Sequence, residues 1–155
     1  MKLSSQEEYG LRCMLCLVDD GRHISRNISE ISESEGITKS NVAKILSILR
    51  RGRLVESVRG QNGGYILARN PKQIYISEIL SVLGTPLFDL DFCDQFSGDT
   101  EKCNHLSSTC SIAALWSRMQ NAVDKVVDKL TLFDLQNQHF TTGEDNNKKL
   151  LHINC

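Results

Sequence analysis

Three cysteines lie close together in the second half of the chain. Cys93, Cys103 and Cys110 follow the spacing C-x9-C-x6-C, in an acidic stretch without hydrophobic periodicity. Thiolates on one loop can converge on a single metal centre, and soft sulfur ligands favour iron–sulfur clusters or zinc. The same thiols could instead form disulfides without metal, or be incidental. The spacing therefore indicates candidate metal ligands and leaves the metal-free alternative open.

A second set of residues suits contact with nucleic acid. Residues 38–69 contain seven Lys and Arg against one acidic residue, Glu56. Basic and small polar side chains on an exposed helix face can contact phosphates and base edges, and an arginine on a Gly-rich hairpin tip suits a narrow minor groove. A solvated helix face and an ordinary hairpin loop are the alternatives. A nucleotide-binding loop is disfavoured, because its Gly-Lys-Ser/Thr ending is absent. The candidate DNA-binding residues are Lys39, Ser40, Asn41, Lys44, Ser47, Arg51, Arg59 and Gln61.

The remaining cysteines and histidines give weaker signals. Cys13 and Cys16 share one face of a predicted helix, where small core-facing cysteines are the favoured interpretation. His105 is interpreted as a solvated loop residue, and the tail pair His152 and Cys155 as incidental.

The apolar pattern predicts the elements that position these residues. A helix of about four turns follows Ser4 and Ser5, a short second helix ends at Gly36, and Thr38 is the N-cap of a third helix. A helix, a brief turn and a helix form a helix-turn-helix.

A predicted β-hairpin follows the third helix. Two β-prone runs, 54–58 and 65–68, flank a Gly- and Asn-rich tip, and one more helix is predicted over 76–83. The fold class is therefore mainly α with a small β-hairpin wing, and residues 1–84 form a winged helix-turn-helix DNA-binding domain.

The C-terminal half is predicted to contain a candidate metal-binding loop and a dimerisation element. Residues 85–110 form the cysteine-containing loop, a candidate cluster-binding loop, and 111–135 form one long dimerisation helix, because its broad apolar stripe has nothing else to cover it. Residues 136–155 are a polar tail. The predicted dimer contacts are Ile112, Leu115, Trp116, Met119, Val123, Val126 and Leu130.

Composition limits the class of protein. The chain has 155 residues, 40% hydrophobic types, six Cys and a net charge of −1. Residues 1–69 have more basic than acidic groups, and the balance is reversed in 70–155.

No apolar run approaches the roughly 20 residues of a membrane span, and no export signal is evident, so we expect a cytoplasmic protein without a membrane partner. Six Cys in that compartment favour metal or redox chemistry over a disulfide scaffold. No pattern of catalytic residues is found, so we expect no enzyme.

Four features of the chain can be compared with known families: the start Met1-Lys-Leu-Ser-Ser, the helix pair, the run Val-Arg-Gly-x-x-Gly-Gly-Tyr at 58–65 and the later Ala114-Leu-Trp116. In these features the sequence resembles the IscR/NsrR family of bacterial winged-helix transcription regulators. The resemblance covers residues 1 to about 135. It implies a homodimer, swapped through the long helix, that binds a pseudo-palindromic operator in double-stranded DNA and senses through an iron–sulfur cluster held by the cysteines before that helix.

The same resemblance bears on the fourth ligand. One branch of the family takes it from a histidine three residues after the last cysteine, where this chain has Ala113. Branches resembling NsrR and RsrR use a carboxylate on the first helix of the partner subunit, and Glu8 holds that position here. The RsrR-like histidine four residues later is replaced by Arg12. Ser5-x-x-Glu8 also matches a capping box, which would give Glu8 a purely structural role.

These observations predict a dimeric regulator whose operator affinity depends on an iron–sulfur cluster, either 2Fe–2S or 4Fe–4S. The alternative within this class is a metal-free switch in which Cys93, Cys103 and Cys110 form disulfides. A cysteine-based enzyme or sulfur-trafficking protein is a remote alternative.

Overall fold

The computed structural model describes residues 4–19, 22–60, 63–84 and 110–137. Six helices and four short strands are present in these ranges. They are, in chain order, α1 (Ser5–Leu15), β1 (Val18–Asp19), β2 (Arg22–His23), α2 (Ile28–Glu35), α3 (Lys39–Arg51), β3 (Val55–Val58), β4 (Gly64–Leu67), a 3-10 turn (Pro71–Gln73), α4 (Ile76–Leu83), α5 (Ser111–Val127) and α6 (Leu132–Gln136).

The predicted helix-turn-helix is confirmed, and local hydrogen bonds define its limits. Asn27 caps α2 in a capping box with Glu30. Gly36 ends that helix in the left-handed conformation, with φ of 64°, which glycine adopts without steric cost. Thr38 then caps α3 by accepting a hydrogen bond from the Asn41 N–H. The turn between the two helices is therefore stabilised by Gly36 and Thr38, the two residues from which the sequence predicted it.

The hydrophobic core lies where α1, α3 and α4 pack together. Helix α3 contributes an inward stripe at i, i+3, i+4 and i+7. Fully or almost fully buried members of the core are Cys13, Met14, Ile31, Val42, Ile45, Leu46, Leu49, Ile79, Leu83 and Leu132. This core fixes the orientation of α3 and leaves its opposite face free.

The predicted wing is also confirmed. Strands β3 and β4 pair antiparallel, with Val55 opposite Leu67 and Val58 opposite Gly64. Arg26 adds a bridge to β4, because its backbone exchanges hydrogen bonds of 3.1 and 2.8 Å with Tyr65. A Cβ at Gly64 would lie 2.5 Å from the Arg26 carbonyl oxygen, so this close approach requires glycine. The wing is thereby tied to the segment that leads into α2.

The predicted capping box at Ser5 and Glu8 is wrong by one residue. Ser4 is the N-cap of α1, and Glu7 completes the box. Both registers match the S-x-x-E pattern, and packing selects the first, since Glu7 is buried and Glu8 is exposed. Helix α1 is also shorter than predicted, because Val18 and Asp19 leave it to pair with β2.

The single helix predicted over 111–135 is wrong in its C-terminal part. Helix α5 ends at Val127, and a separate helix α6 begins at Leu132. Thr131 starts α6 with a capping box that includes Asp134. Leu130 therefore lies outside α5, and Leu132 is buried in the core. The apolar stripe continues across the break because its last residues pack on this chain's own core.

Within the four described ranges, no helix combines the length and the apolar character that crossing a membrane requires.

Candidate functional site

The exposed face of α3 carries the residues predicted to contact DNA. Lys39, Ser40, Asn41, Lys44 and Arg51 are exposed. Ser47 lies between them but is half-buried, so it is the least accessible of the set. Because the opposite face of α3 is anchored in the core, these side chains are presented on a rigid element. Such a face, with cationic and amide side chains, can meet phosphates and base edges in a major groove.

The wing presents Arg59 directly after β3. Arg59 and its neighbour Gly60 are exposed, and Gly60 has φ of 125°, which disfavours any side chain there. The Gly63 N–H donates to the Gly60 carbonyl at 2.9 Å and closes the turn. Gln61 lies outside the described residues. An arginine on a tip of small residues can approach a narrow groove closely.

Glu8 is part of a chain of charged contacts that the sequence analysis did not predict. Its Oε1 lies 3.1 Å from Arg12 Nη2, and Arg12 Nη1 lies 3.4 Å from Glu35 Oε2. Glu35 is the last residue of α2, so these contacts join the first helix to the turn of the helix-turn-helix. The i, i+4 spacing of Glu8 and Arg12 was a signal for the first contact. The second joins residues 23 positions apart and had no local signal.

Cys13 and Cys16 are held as thiols. Burial raises the pKa of Cys13 to about 12. Burial, together with the Glu35 carboxylate, raises the pKa of Cys16 to about 11. Cys16 Sγ donates to Glu35 Oε1 at 3.0 Å. Since metal binding requires thiolates, the environment of this pair disfavours a metal site.

Of the three predicted cysteine ligands, Cys110 alone is among the described residues. It is the N-cap of α5, is 8% exposed, and makes no side-chain capping hydrogen bond. Cys93 and Cys103 lie outside the described residues, as does most of the loop predicted over 85–110. In the part of the chain that the structure describes, no three His, Cys, Asp or Glu side chains are grouped as metal ligands would be.

Helix α5 carries an apolar face that the other described residues leave accessible. None of its 17 residues is buried. Ile112, Leu115 and Val126 are 47%, 51% and 57% exposed, and Trp116, Met119 and Val123 are half-buried. Leu130, predicted to belong to the same face, packs against the core. The remaining six predicted dimer contacts thus share one helix that lies outside the core.

A helix-turn-helix with a basic outer face, followed by an arginine-tipped wing, is the architecture of winged-helix DNA-binding proteins. The match to known proteins defines the class more closely. Residues 3–138 match the model of the Rrf2 family, described as an iron-dependent transcriptional regulator. The chain belongs to this family of DNA-binding transcription regulators, which confirms the resemblance that the sequence indicated.

The chain is similar to regulators with three different names. It is 30% identical to the HTH-type transcriptional regulator CymR of Bacillus subtilis, over 93% of this chain and 94% of that protein. It is 29% identical to NsrR of Bacillus licheniformis, over 97% and 99%. It is 30% identical to IscR of Cronobacter sakazakii, over 88% and 81%. All three are regulators, as expected for a protein that is not an enzyme.

Solved structures of such regulators are also similar to this chain. CymR, described as the global cysteine regulator of B. subtilis, has a TM-score of 0.69 at 28% identity, covering 89% of this chain and 98% of that one. IscR of T. potens has a TM-score of 0.68 at 25% identity, covering 95% and 94%. The oxidized form of Staphylococcus aureus CymR has a TM-score of 0.65 at 27% identity, covering 88% and 96%. The predicted fold class is confirmed.

Proposed function

We propose that the chain is a homodimeric regulator whose operator affinity is controlled by an iron–sulfur cluster at the dimer interface. Cys93, Cys103 and Cys110 of one protomer hold the cluster, together with Glu8 of the partner subunit. The observation that carries this proposal is that the Glu8 carboxylate takes no part in the helix cap, which Ser4 and Glu7 form. The carboxylate can therefore serve as a ligand. The ligand set combines three soft thiolates with one harder oxygen donor.

Cys110 suits the role of a ligand at the start of a rigid helix. Its side chain makes no capping hydrogen bond, and it is a free cysteine at the N-cap of α5. A ligand in this position would connect the cysteine loop to the helix that carries the exposed apolar face. A change in the cluster would then affect the loop and the dimer interface together.

Glu8 suits the role of an exchangeable ligand. It is exposed, and its ion pair with Arg12 is a surface contact, which costs little to break. The carboxylate is a harder ligand than a thiolate, so it should leave first when a small ligand or an oxidant arrives. When bound, the cluster would supply the reactivity towards such molecules.

The contacts of Arg12 offer a route from this position to the DNA-binding unit. While Glu8 is paired with Arg12, the guanidinium is shared between Glu8 and Glu35. If Glu8 turns to a ligand role, Arg12 keeps only Glu35, at the end of α2. The position of the helix-turn-helix turn would then depend on the state of Glu8.

The dimer would form through α5. Its face of six apolar side chains has the spacing of a helix that packs against another helix. Two copies related by a two-fold axis would present two α3 helices to a pseudo-palindromic operator.

Anaerobic purification followed by an absorption spectrum and by iron and sulfide analysis tests the cluster. We expect iron and sulfide in the wild-type protein and their loss from Cys93→Ala, Cys103→Ala and Cys110→Ala. Cys16→Ala is the matched control and should keep both. Anaerobically purified protein without iron or sulfide, even after reconstitution, would refute the cluster.

A metal-free thiol switch is the second candidate. It is favoured by the likeness to S. aureus CymR, for which an oxidized form has been solved. In that case Cys93, Cys103 and Cys110 would form disulfides, and operator binding by iron-free protein would be changed by a thiol oxidant and restored by dithiothreitol. A protein that loses its response when iron is removed, and ignores the oxidant thereafter, would exclude this candidate.

A further inference from the structure

A basic groove lies at the base of the wing, beside the end of α3. It is open, has a volume of about 800 Å³, and is lined by Arg50, Gly52, Arg53, Glu56, Ser57 and Arg69, among others. None of the residues predicted to contact DNA lines it. The groove is therefore a separate feature from the outer face of α3 and the tip of the wing.

Two of the three arginines in the groove are available to a ligand. Arg69 is paired with Glu78 and also donates to the Gln73 carbonyl at 3.3 Å. Arg50 and Arg53 are exposed, and neither forms an ion pair with another described residue. Their combined charge exceeds that of Glu56, so the groove attracts anions.

Arg53 holds an unusual backbone conformation at this place. Its φ is 58°, and it is the one residue other than glycine with a positive φ among those described. It follows the end of α3, where the Leu54 N–H donates to the Leu49 carbonyl at 3.0 Å. Glycine is the usual residue at such a position, because a Cβ is strained there.

The glycine of this turn serves a different purpose. Gly52 precedes Arg53, and a Cβ there would lie 2.5 Å from Val82 Cγ1 of α4. Close packing of α3 against α4 therefore accounts for Gly52, but nothing in the packing accounts for an arginine at 53. A side chain kept at a strained position points to a role for the side chain itself.

We propose that this groove is an oxyanion site in which Arg50 and Arg53 bind a phosphate group. A guanidinium presents a planar fork of donors that matches phosphate oxygens. Each non-bridging oxygen has more than one lone pair, so the oxygens of a phosphodiester or of free phosphate can accept from two forks. The phosphate comes either from the DNA backbone, outside the contacts of α3 and the wing tip, or from a free phosphate ion. The DNA source rests on the DNA-binding function, whereas the free ion does not.

The test compares Arg53→Gly and Arg50→Gln with the wild-type full-length chain. Lys129→Gln, an exposed charge change between α5 and α6, is the matched control. The first measurement is the Tm on titration with inorganic phosphate, with chloride exchanged to keep ionic strength constant. The second is the salt dependence of binding to a random-sequence duplex of about 30 base pairs.

Arg53→Gly relieves the backbone strain, so without phosphate its Tm should rise by about 2 °C and the variant remains folded. If free phosphate is the ligand, phosphate should raise the wild-type Tm, and both groove variants should lose that response. If the ligand is the DNA backbone, the slope of log K against log salt should become shallower by about 1 for each lost contact. Groove variants that match Lys129→Gln in both measurements would overturn the site, and the DNA-binding function would be unaffected by that result.

Discussion

The backbone N–H of Ser4 donates a hydrogen bond of 2.8 Å to Glu7 Oε2, and the Glu7 N–H donates in return to Ser4 Oγ at 3.3 Å. The start of α1 is thus capped without Glu8. Glu7 also packs against Gly84 after α4, where a Cβ would clash with its carboxylate. Two adjacent glutamates consequently have different tasks, and substitution can separate them.

Glu7→Ala should destabilise the fold by about 1–2 kcal/mol, since it removes the carboxylate half of the capping box from a buried position. The Tm should fall by about 2–6 °C in thermal unfolding. Glu8→Ala removes only an exposed ion pair and should lower the stability by clearly less than Glu7→Ala does. Equal losses in the two variants would contradict the assignment of the cap to Glu7.

Glu8→Gln keeps the size of the side chain and removes the charged oxygen donor. If Glu8 is a cluster ligand, the variant should assemble cluster on three cysteines with an altered absorption spectrum, faster loss in air and a changed response of operator affinity. Its Tm without cluster should be close to that of the wild type. A spectrum, air stability and operator affinity identical to wild type would refute the ligand assignment, and the cysteine assignments would survive.

The sequence was sufficient for the helix-turn-helix and the wing. Gly36, Thr38 and the residues around the hairpin tip act through local backbone chemistry, and local chemistry is visible in a single chain. The outer face of α3 was also predictable, because the core-facing positions of a helix determine which positions lie on its opposite face.

Features that depend on distant contacts were not predictable in this way. The S-x-x-E pattern occurs twice in succession, and the burial of Glu7 against Gly84 selects one register. The end of α5 was missed because Val127 and Leu130 continue the apolar spacing although they pack on the core. The contact between Arg12 and Glu35 joins two helices whose relative position only the packed fold determines.

Cys16 should react slowly with alkylating reagents. Its pKa is raised from 9.0 to about 11 by burial and by Glu35, so little thiolate is present at pH 8. Glu35→Gln removes the negative neighbour and should lower this pKa and speed alkylation by iodoacetamide, measured by mass spectrometry. Cys13, whose raised pKa arises mainly from burial, is the internal control and should change little.

The same pKa shift predicts a dependence of stability on pH. A thiol whose pKa is higher in the folded state contributes its full stabilisation below pH 9, and this is lost as the pH rises towards 11. Cys16→Ala should therefore flatten the fall in Tm between these values. A fall as steep as that of the wild type would show that other groups cause it.

Arg59→Ala should weaken operator binding by about 1–3 kcal/mol, or roughly 5- to 150-fold, if Arg59 enters a groove. Affinities are compared at matched salt, because phosphate contacts are strongly salt-dependent. Lys129→Ala changes the charge equally at a site away from the wing and is the control. An affinity equal to that of the control would remove the wing tip from the DNA interface.

Helix α5 should hold two copies of the chain together at micromolar concentration. Leu115 is 51% exposed on the apolar face, so Leu115→Lys places a charge in the proposed interface without disturbing the core. Sedimentation should show a dimer for the wild type and a monomer for this variant, while Asn121→Lys, on the opposite face of α5, should remain dimeric.

Two recognition helices held by α5 should contact half-sites roughly 34 Å apart, about one turn of DNA. The monomeric variant should then lose most of its operator affinity, because each half-site must bind alone. A wild-type monomer, or a Leu115→Lys protein that stays dimeric, would exclude α5 as the dimer interface.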